Sequence, residues 1–201
     1  MLALVDANYR FLYVDVGNYG RVSDGGVFNN SSLSKALASN SLCIPTAETV
    51  WGLEKKVPYV VVADDAFALK PNIMKPYGKR GLTMEQRVFN YRLSRARRVV
   101  ENAFGILSQR FRIFTRSIPL SPEKVQVLTM AACCLHNFLT RDSTSSATYI
   151  ADLVTDDRQN KVSTMQSLLQ QGSNRNSINA TEVRELFCSY FSSAAGAVSW
   201  Q

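Results

Sequence analysis

Long hydrophobic runs are missing from this chain. Nowhere in its 201 residues is there an apolar stretch of the roughly 18 positions that a membrane span requires. The opening Met1-Leu-Ala-Leu-Val5 is broken by Asp6 and lacks a basic flank, so no signal peptide is expected, and the Asn-x-Ser/Thr triplets at Asn29, Asn30 and Asn179 carry no expectation of glycans. Cysteine is scarce. Cys43, Cys133, Cys134 and Cys188 form no Cys-x-x-Cys pair, and the adjacent Cys133 and Cys134 cannot make an ordinary bridge. Buried reduced thiols, in cytosol or nucleus, are the expectation. Histidine occurs once, as His136, three residues after Cys133. With no second ligand pair, a core or helix-end histidine is favoured there over a zinc site. The glycines of residues 17–26 have no phosphate-loop spacing, and no internal repeat is visible.

What is present suffices for one ordinary domain. Apolar residues make up 46% and charged residues 19%, which excludes wholesale disorder. The net charge of +7 is concentrated in residues 87–116, which hold Arg87, Arg92, Arg95, Arg97, Arg98, Arg110, Arg112 and Arg116 against one acid, Glu101. The rest of the chain is neutral. Such a segment suggests an anionic partner, with nucleic acid first, while a solvated helix face is the alternative that composition leaves open.

Two apolar runs, 2–6 and 10–16, flank Asp6-Ala7-Asn8-Tyr9 and predict a hairpin. Gly17, Gly20, Gly25 and Gly26 predict an irregular loop, with Asp24 as a loop-capping residue, and a short helix follows from about Ser31 to Ala38. Tyr59-Val-Val-Val-Ala63 has the continuous β-branched pattern of a strand covered on both faces. Residues 66–90 read as a loop. From Tyr91 to about Phe111, apolar residues recur at helical spacing opposite the arginines. Ser121-Pro122-Glu123 is a helix start. Residues 141–180 read as a polar linker, and a last helix over about 181–192 carries Phe187, Tyr190 and Phe191 as packing residues. The class is α/β or α+β.

Asp64 stands where the 59–63 strand ends, the usual place for ligands in open sheets, and Asp65 should point to the opposite face. A carboxylate there and Glu101 on a crossing helix could share a hard cation that clamps phosphoryl oxygens. The alternatives are a turn residue for Asp64 and an Arg97–Glu101 (i, i+4) pair. Asp15, another acid near the sheet, is a weaker candidate.

The order of several motifs narrows the choice. Phe11-Leu-Tyr-Val-Asp-Val-Gly17, Gly20-Arg-Val-Ser-Asp-Gly-Gly-Val-Phe28, Val62-Ala-Asp-Asp-Ala-Phe67, Met74-Lys-Pro-Tyr77, Arg97-Arg-Val-Val-Glu-Asn-Ala-Phe-Gly105, Leu135-His-Asn-Phe138 and Val198-Ser-Trp-Gln201 follow one another. Together they resemble the PIF/Harbinger transposase-derived nucleases of the DDE superfamily, densely over 1–140 and again over 181–201. The resemblance implies a ribonuclease-H-like α/β fold, a mixed sheet flanked by helices, occupying 1–140. It implies two-metal cleavage of DNA, with Mg²⁺ or Mn²⁺ held by two aspartates and a glutamate. By motif, Asp64 is the second aspartate and Glu101 the glutamate. The first belongs to an Asp-Gly-x-His motif on the family's first strand, which these 201 residues do not contain. The expectation is therefore a sheet lacking that strand and a chain inactive alone, or a noncatalytic DNA- or protein-binding remnant. Arg95, Arg97 and Arg98 are expected to hold DNA backbone, sequence recognition is expected from a separate DNA-binding partner protein, and the expected location is nuclear, with the cytoplasm as a second site.

Overall fold

The computed structural model describes residues 1–18, 21–78, 80–141, 149–150 and 178–201. The polar linker expected over 141–180 thus lies almost wholly outside the described residues. The architecture is mixed α/β, running β1 (Leu2–Val5), β2 (Phe11–Asp15), α1 (Asp24–Asn30), α2 (Ser32–Ala38), β3 (Glu48–Thr49), β4 (Lys56–Val57), β5 (Val61–Val62), β6 (Ile73–Met74), α3 (Met84–Arg110), a 3₁₀ turn (Arg112–Thr115), α4 (Pro122–Leu139) and α5 (Ile178–Ser192). The strands form three pairs: β1–β2 and β3–β4 antiparallel, β5–β6 parallel. Among the described residues no helix is long and apolar enough to cross a membrane. Two compact units result, one of residues 1–22 and 98–150, the other of 23–97 and 178–201 among those described. Helix α3 supplies 84–97 to the second and 98–110 to the first.

In the first unit the expected hairpin is present. Asp6 makes its turn, Oδ1 accepting the N–H groups of Asn8 at 2.8 Å and Arg10 at 2.9 Å, with Tyr9 in the left-handed region at φ 64°. Phe11, Ala103, Leu107, Ala132 and Cys133 form the core. Helix α4 begins where Ser121-Pro122-Glu123 predicts, but the Ser121 side chain makes no capping bond to the backbone. Instead, Glu123's own backbone N–H and the Ser121 hydroxyl hold the Glu123 carboxyl below its usual range. The Leu135-His-Asn-Phe138 motif fastens α4 to the hairpin. Asn137 Oδ1 accepts the Phe11 N–H and its Nδ2 donates to the Phe11 carbonyl, both at 2.8 Å.

In the second unit Leu69, Met74, Phe89, Leu93, Ala180 and Cys188 form the core, with Phe187 and Phe191 of α5 packed on it. Five expectations are corrected here. The irregular loop expected through Gly26 ends earlier, because the Ser23 hydroxyl accepts the Gly26 N–H at 3.2 Å and starts α1 at Asp24. Ser23, not Asp24, is therefore the cap. The strand expected over 59–63 shrinks to Val61–Val62, half-buried on both residues, with Tyr59 46% exposed. Its β-branched run is satisfied by a short parallel ladder, Val61 N–H to Asn72 carbonyl and Ala63 N–H to Met74 carbonyl, both 2.8 Å. Helix α3 begins at Met84 rather than Tyr91, since Thr83 and Gln86 form a reciprocal capping box: Gln86 N–H to Thr83 Oγ1 at 3.3 Å, Thr83 N–H to Gln86 Oε1 at 3.2 Å. The last helix likewise starts earlier than 181, at Ile178.

Candidate functional site

Immediately past the β5 ladder the chain folds into a tight turn at Asp64. Asp64 Oδ1 accepts the Ala66 N–H at 2.9 Å, and its carbonyl accepts the Phe67 N–H at 3.3 Å. The turn alternative raised by the sequence is thus a feature of the structure. It does not consume the residue, because Asp64 Oδ2 lies 3.8 Å from the Arg97 guanidinium and the side chain is 33% exposed. Asp65 has a different partner. Lys75 Nζ is 3.1 Å from its carboxylate and donates to its carbonyl at 2.8 Å, so the two aspartates are tied to separate cations. The turn rests on α1. A Cβ at Gly25 would stand 2.7 Å from the Ala66 carbonyl oxygen, and Phe28 meets Phe67 edge-on at 5.6 Å. Asp24 is therefore the N-terminal residue of a helix seated on the Asp64 turn.

Glu101 is an exposed residue of α3 and falls in the other unit. Arg97 approaches Asp64. Asp15 ends β2 and lines a cleft of about 460 Å³ with Val14, Gln126 and Met130. Among the described residues no group of three or more His, Cys, Asp or Glu could hold a metal ion. His136 is fully buried, with Nδ1 3.1 Å from the Tyr149 hydroxyl and Nε2 2.7 Å from the Tyr9 carbonyl. Both ring nitrogens are engaged, and burial pushes the neighbouring Cys133 thiol up to about 11, so the core-histidine reading holds.

The arginines divide by role. Arg92 is structural: Nη1 donates to the Gly196 carbonyl at 2.6 Å and to Gln201 Oε1 at 3.3 Å, while its guanidinium stacks 4.0 Å from the Phe191 centroid. Burial lowers its pKa. Arg110 donates from Nε and Nη2 to the Tyr149 carbonyl at 3.0 and 2.6 Å. Arg97 faces Asp64. Arg95 is exposed and stacks 4.2 Å over Trp200. Arg87, Arg98, Arg112 and Arg116 are exposed, and among the described residues none of them forms an ion pair with an acid. The role of Trp200 was not legible beforehand. Val198-Ser-Trp-Gln201 stood out only as a motif, and nothing in its spacing links it to residues a hundred positions earlier.

A family model described as DDE superfamily endonuclease matches residues 1–137. A protein of Arabidopsis thaliana named Protein ALP1-like is 28% identical over 143 residues, covering 68% of this chain and 34% of that relative. The chain thus spans about a third of the relative's length. No solved structure matches.

Proposed function

Because the chain belongs to the DDE superfamily endonucleases, we propose that it is the DNA-handling part of a Harbinger-type transposase or transposase-derived nuclease, unable to cleave DNA alone. The observation that carries this reading is the match over residues 1–137, which takes in the Asp64 turn, Glu101 and all eight clustered arginines. The reading includes a ribonuclease-H-like arrangement. In its support, β5–β6 is a parallel pair and β1–β2 an antiparallel one, and a mixed sheet contains both kinds of pairing.

Members of this superfamily generally use divalent metals. Asp64 and Glu101 are the carboxylates that would contribute oxygens to Mg²⁺ or Mn²⁺, and the metal would supply charge at a phosphodiester. They do not complete a ligand set. Asp64 Oδ1 accepts the Ala66 N–H, Oδ2 faces Arg97, and the described residues assemble no third acid. Arg95, Arg97 and Arg98 would contact DNA backbone, which confers affinity with little sequence specificity. Sequence choice would then fall to a partner protein, and the location would be nuclear. The Arg97 guanidinium facing Asp64 Oδ2, where a metal cation would sit, favours a second reading, a noncatalytic DNA- or protein-binding remnant.

A plasmid nicking assay with Mg²⁺ tests the proposal. Binding without nicking is the expected result. Nicking that disappears in both Asp64→Asn and Glu101→Gln would show that another acid, such as Asp15, completes the site. A full-length form carrying Asp-Gly-x-His that nicks only with Asp64 and Glu101 intact would exclude the remnant reading.

A further inference from the structure

A pocket of about 390 Å³ lies on the second unit. Arg92, Arg95, Ala96, Phe191 and Trp200 line it, with Val62 and Leu93 adding apolar wall. Two guanidinium groups and two aromatic rings, with no acid, select a ligand that is both flat and anionic. The two arginines differ in availability. Arg92 is held by Gly196, Gln201 and Phe191, and so acts as fixed wall. Arg95 is exposed, and among the described residues it makes no ion pair. A guanidinium stacked on indole keeps its N–H edges free for a phosphate. Trp200 is held by Arg95 and by the edge of Tyr91 at 6.1 Å, yet remains 44% exposed. The volume falls in the range of small-molecule sites, which suits one nucleotide and excludes a stacked duplex.

We propose that this pocket takes a single unstacked nucleotide of DNA, its base against Trp200 and its phosphate on Arg95. The assignment rests on the DNA-binding reading above and deepens it, since a strand whose bases are splayed would be gripped where an intact duplex would not. Stacking on an aromatic side chain is tolerant of base identity, so little sequence preference is expected.

Fluorescence tests the proposal directly. The chain has two tryptophans, and Trp51 is 81% exposed, so Trp51→Phe leaves Trp200 as the sole reporter. A single-stranded 12-mer should quench Trp200 in step with binding followed independently by the anisotropy of a labelled oligonucleotide. The same sequence as a duplex should bind without comparable quenching. Trp200→Leu should lower single-strand affinity roughly 5- to 150-fold, leave duplex affinity within about twofold, and be largely rescued by Trp200→Phe. Single-strand binding without quenching, or equal losses for both DNA forms in Trp200→Leu, would overturn the stacking site while leaving DNA binding intact. Quenching by free deoxyadenosine monophosphate at the same nucleotide concentration would make it a free-nucleotide site and overturn the DNA assignment. No DNA binding at all would overturn both readings together.

Discussion

The tautomer of His136 follows from its neighbours. The Tyr9 carbonyl can only accept, so Nε2 carries the proton and Nδ1 accepts the Tyr149 hydroxyl hydrogen. Burial holds the native pKa below 6.5, only partly offset by the Tyr9 carbonyl. An unfolded chain therefore takes up this proton at a higher pH than the native one does. The contribution is fully present above about pH 6.5 and is lost as pH falls toward the native value. Urea unfolding midpoints should drop between pH 7 and pH 5, and the drop should shrink in His136→Gln; an equal drop in both would assign it elsewhere. Two glycines make a contrasting pair. Gly25→Ala places a methyl 2.7 Å from a backbone oxygen and should cost about 1–3 kcal/mol, whereas Gly105→Ala within α3 meets nothing within 4 Å and should stabilise by about 1 kcal/mol. Thermal melts of the two variants should move in opposite directions. At this scale the sequence was informative about side chains with few possible roles, such as a lone histidine. It was silent on Arg92, whose partners Gly196 and Gln201 are about a hundred residues away.

The helices show how local signals were used or overlooked. Ser121-Pro122-Glu123 marked the start of α4 correctly, and the same kind of signal, Thr83-Met-Glu-Gln86, stood at the start of α3. The turn-rich composition of 66–82 masks it, because the regular apolar spacing becomes clear only from Tyr91. Thr83→Ala should cost about 1 kcal/mol through loss of its bond to the Gln86 N–H, read as a lowered urea midpoint with an unchanged slope. An unchanged midpoint would mean that the first turns of α3 are not part of the cooperative structure. The β elements were less legible for a physical reason. A β-branched run specifies that a strand is favourable, but its length depends on partners the run does not contain. Among the described residues Val61–Val62 pairs only with Ile73–Met74, and Tyr59 remains exposed. The hairpin needed no distant partner, and Asp6 set its turn from within.

For the whole molecule, family membership was legible because ordered motifs survive where local patterns are ambiguous. The Asp64 turn was legible from its place after a β-branched run and from its own short side chain. What the sequence could not apportion was the +7 charge, since eight arginines read alike until Arg92 and Arg110 are seen bound to backbone carbonyls. The central claim is that the remaining exposed arginines hold DNA backbone. Its most direct test is the equilibrium affinity for a random-sequence DNA at 50, 100 and 200 mM salt, for wild type and Arg95→Ala/Arg98→Ala. About four phosphate contacts should give a loss on the order of 10²-fold across that range, and the double variant should flatten the log–log slope by about two units on every sequence. A wild-type affinity indifferent to salt, or a slope unchanged in the variant, would contradict the account.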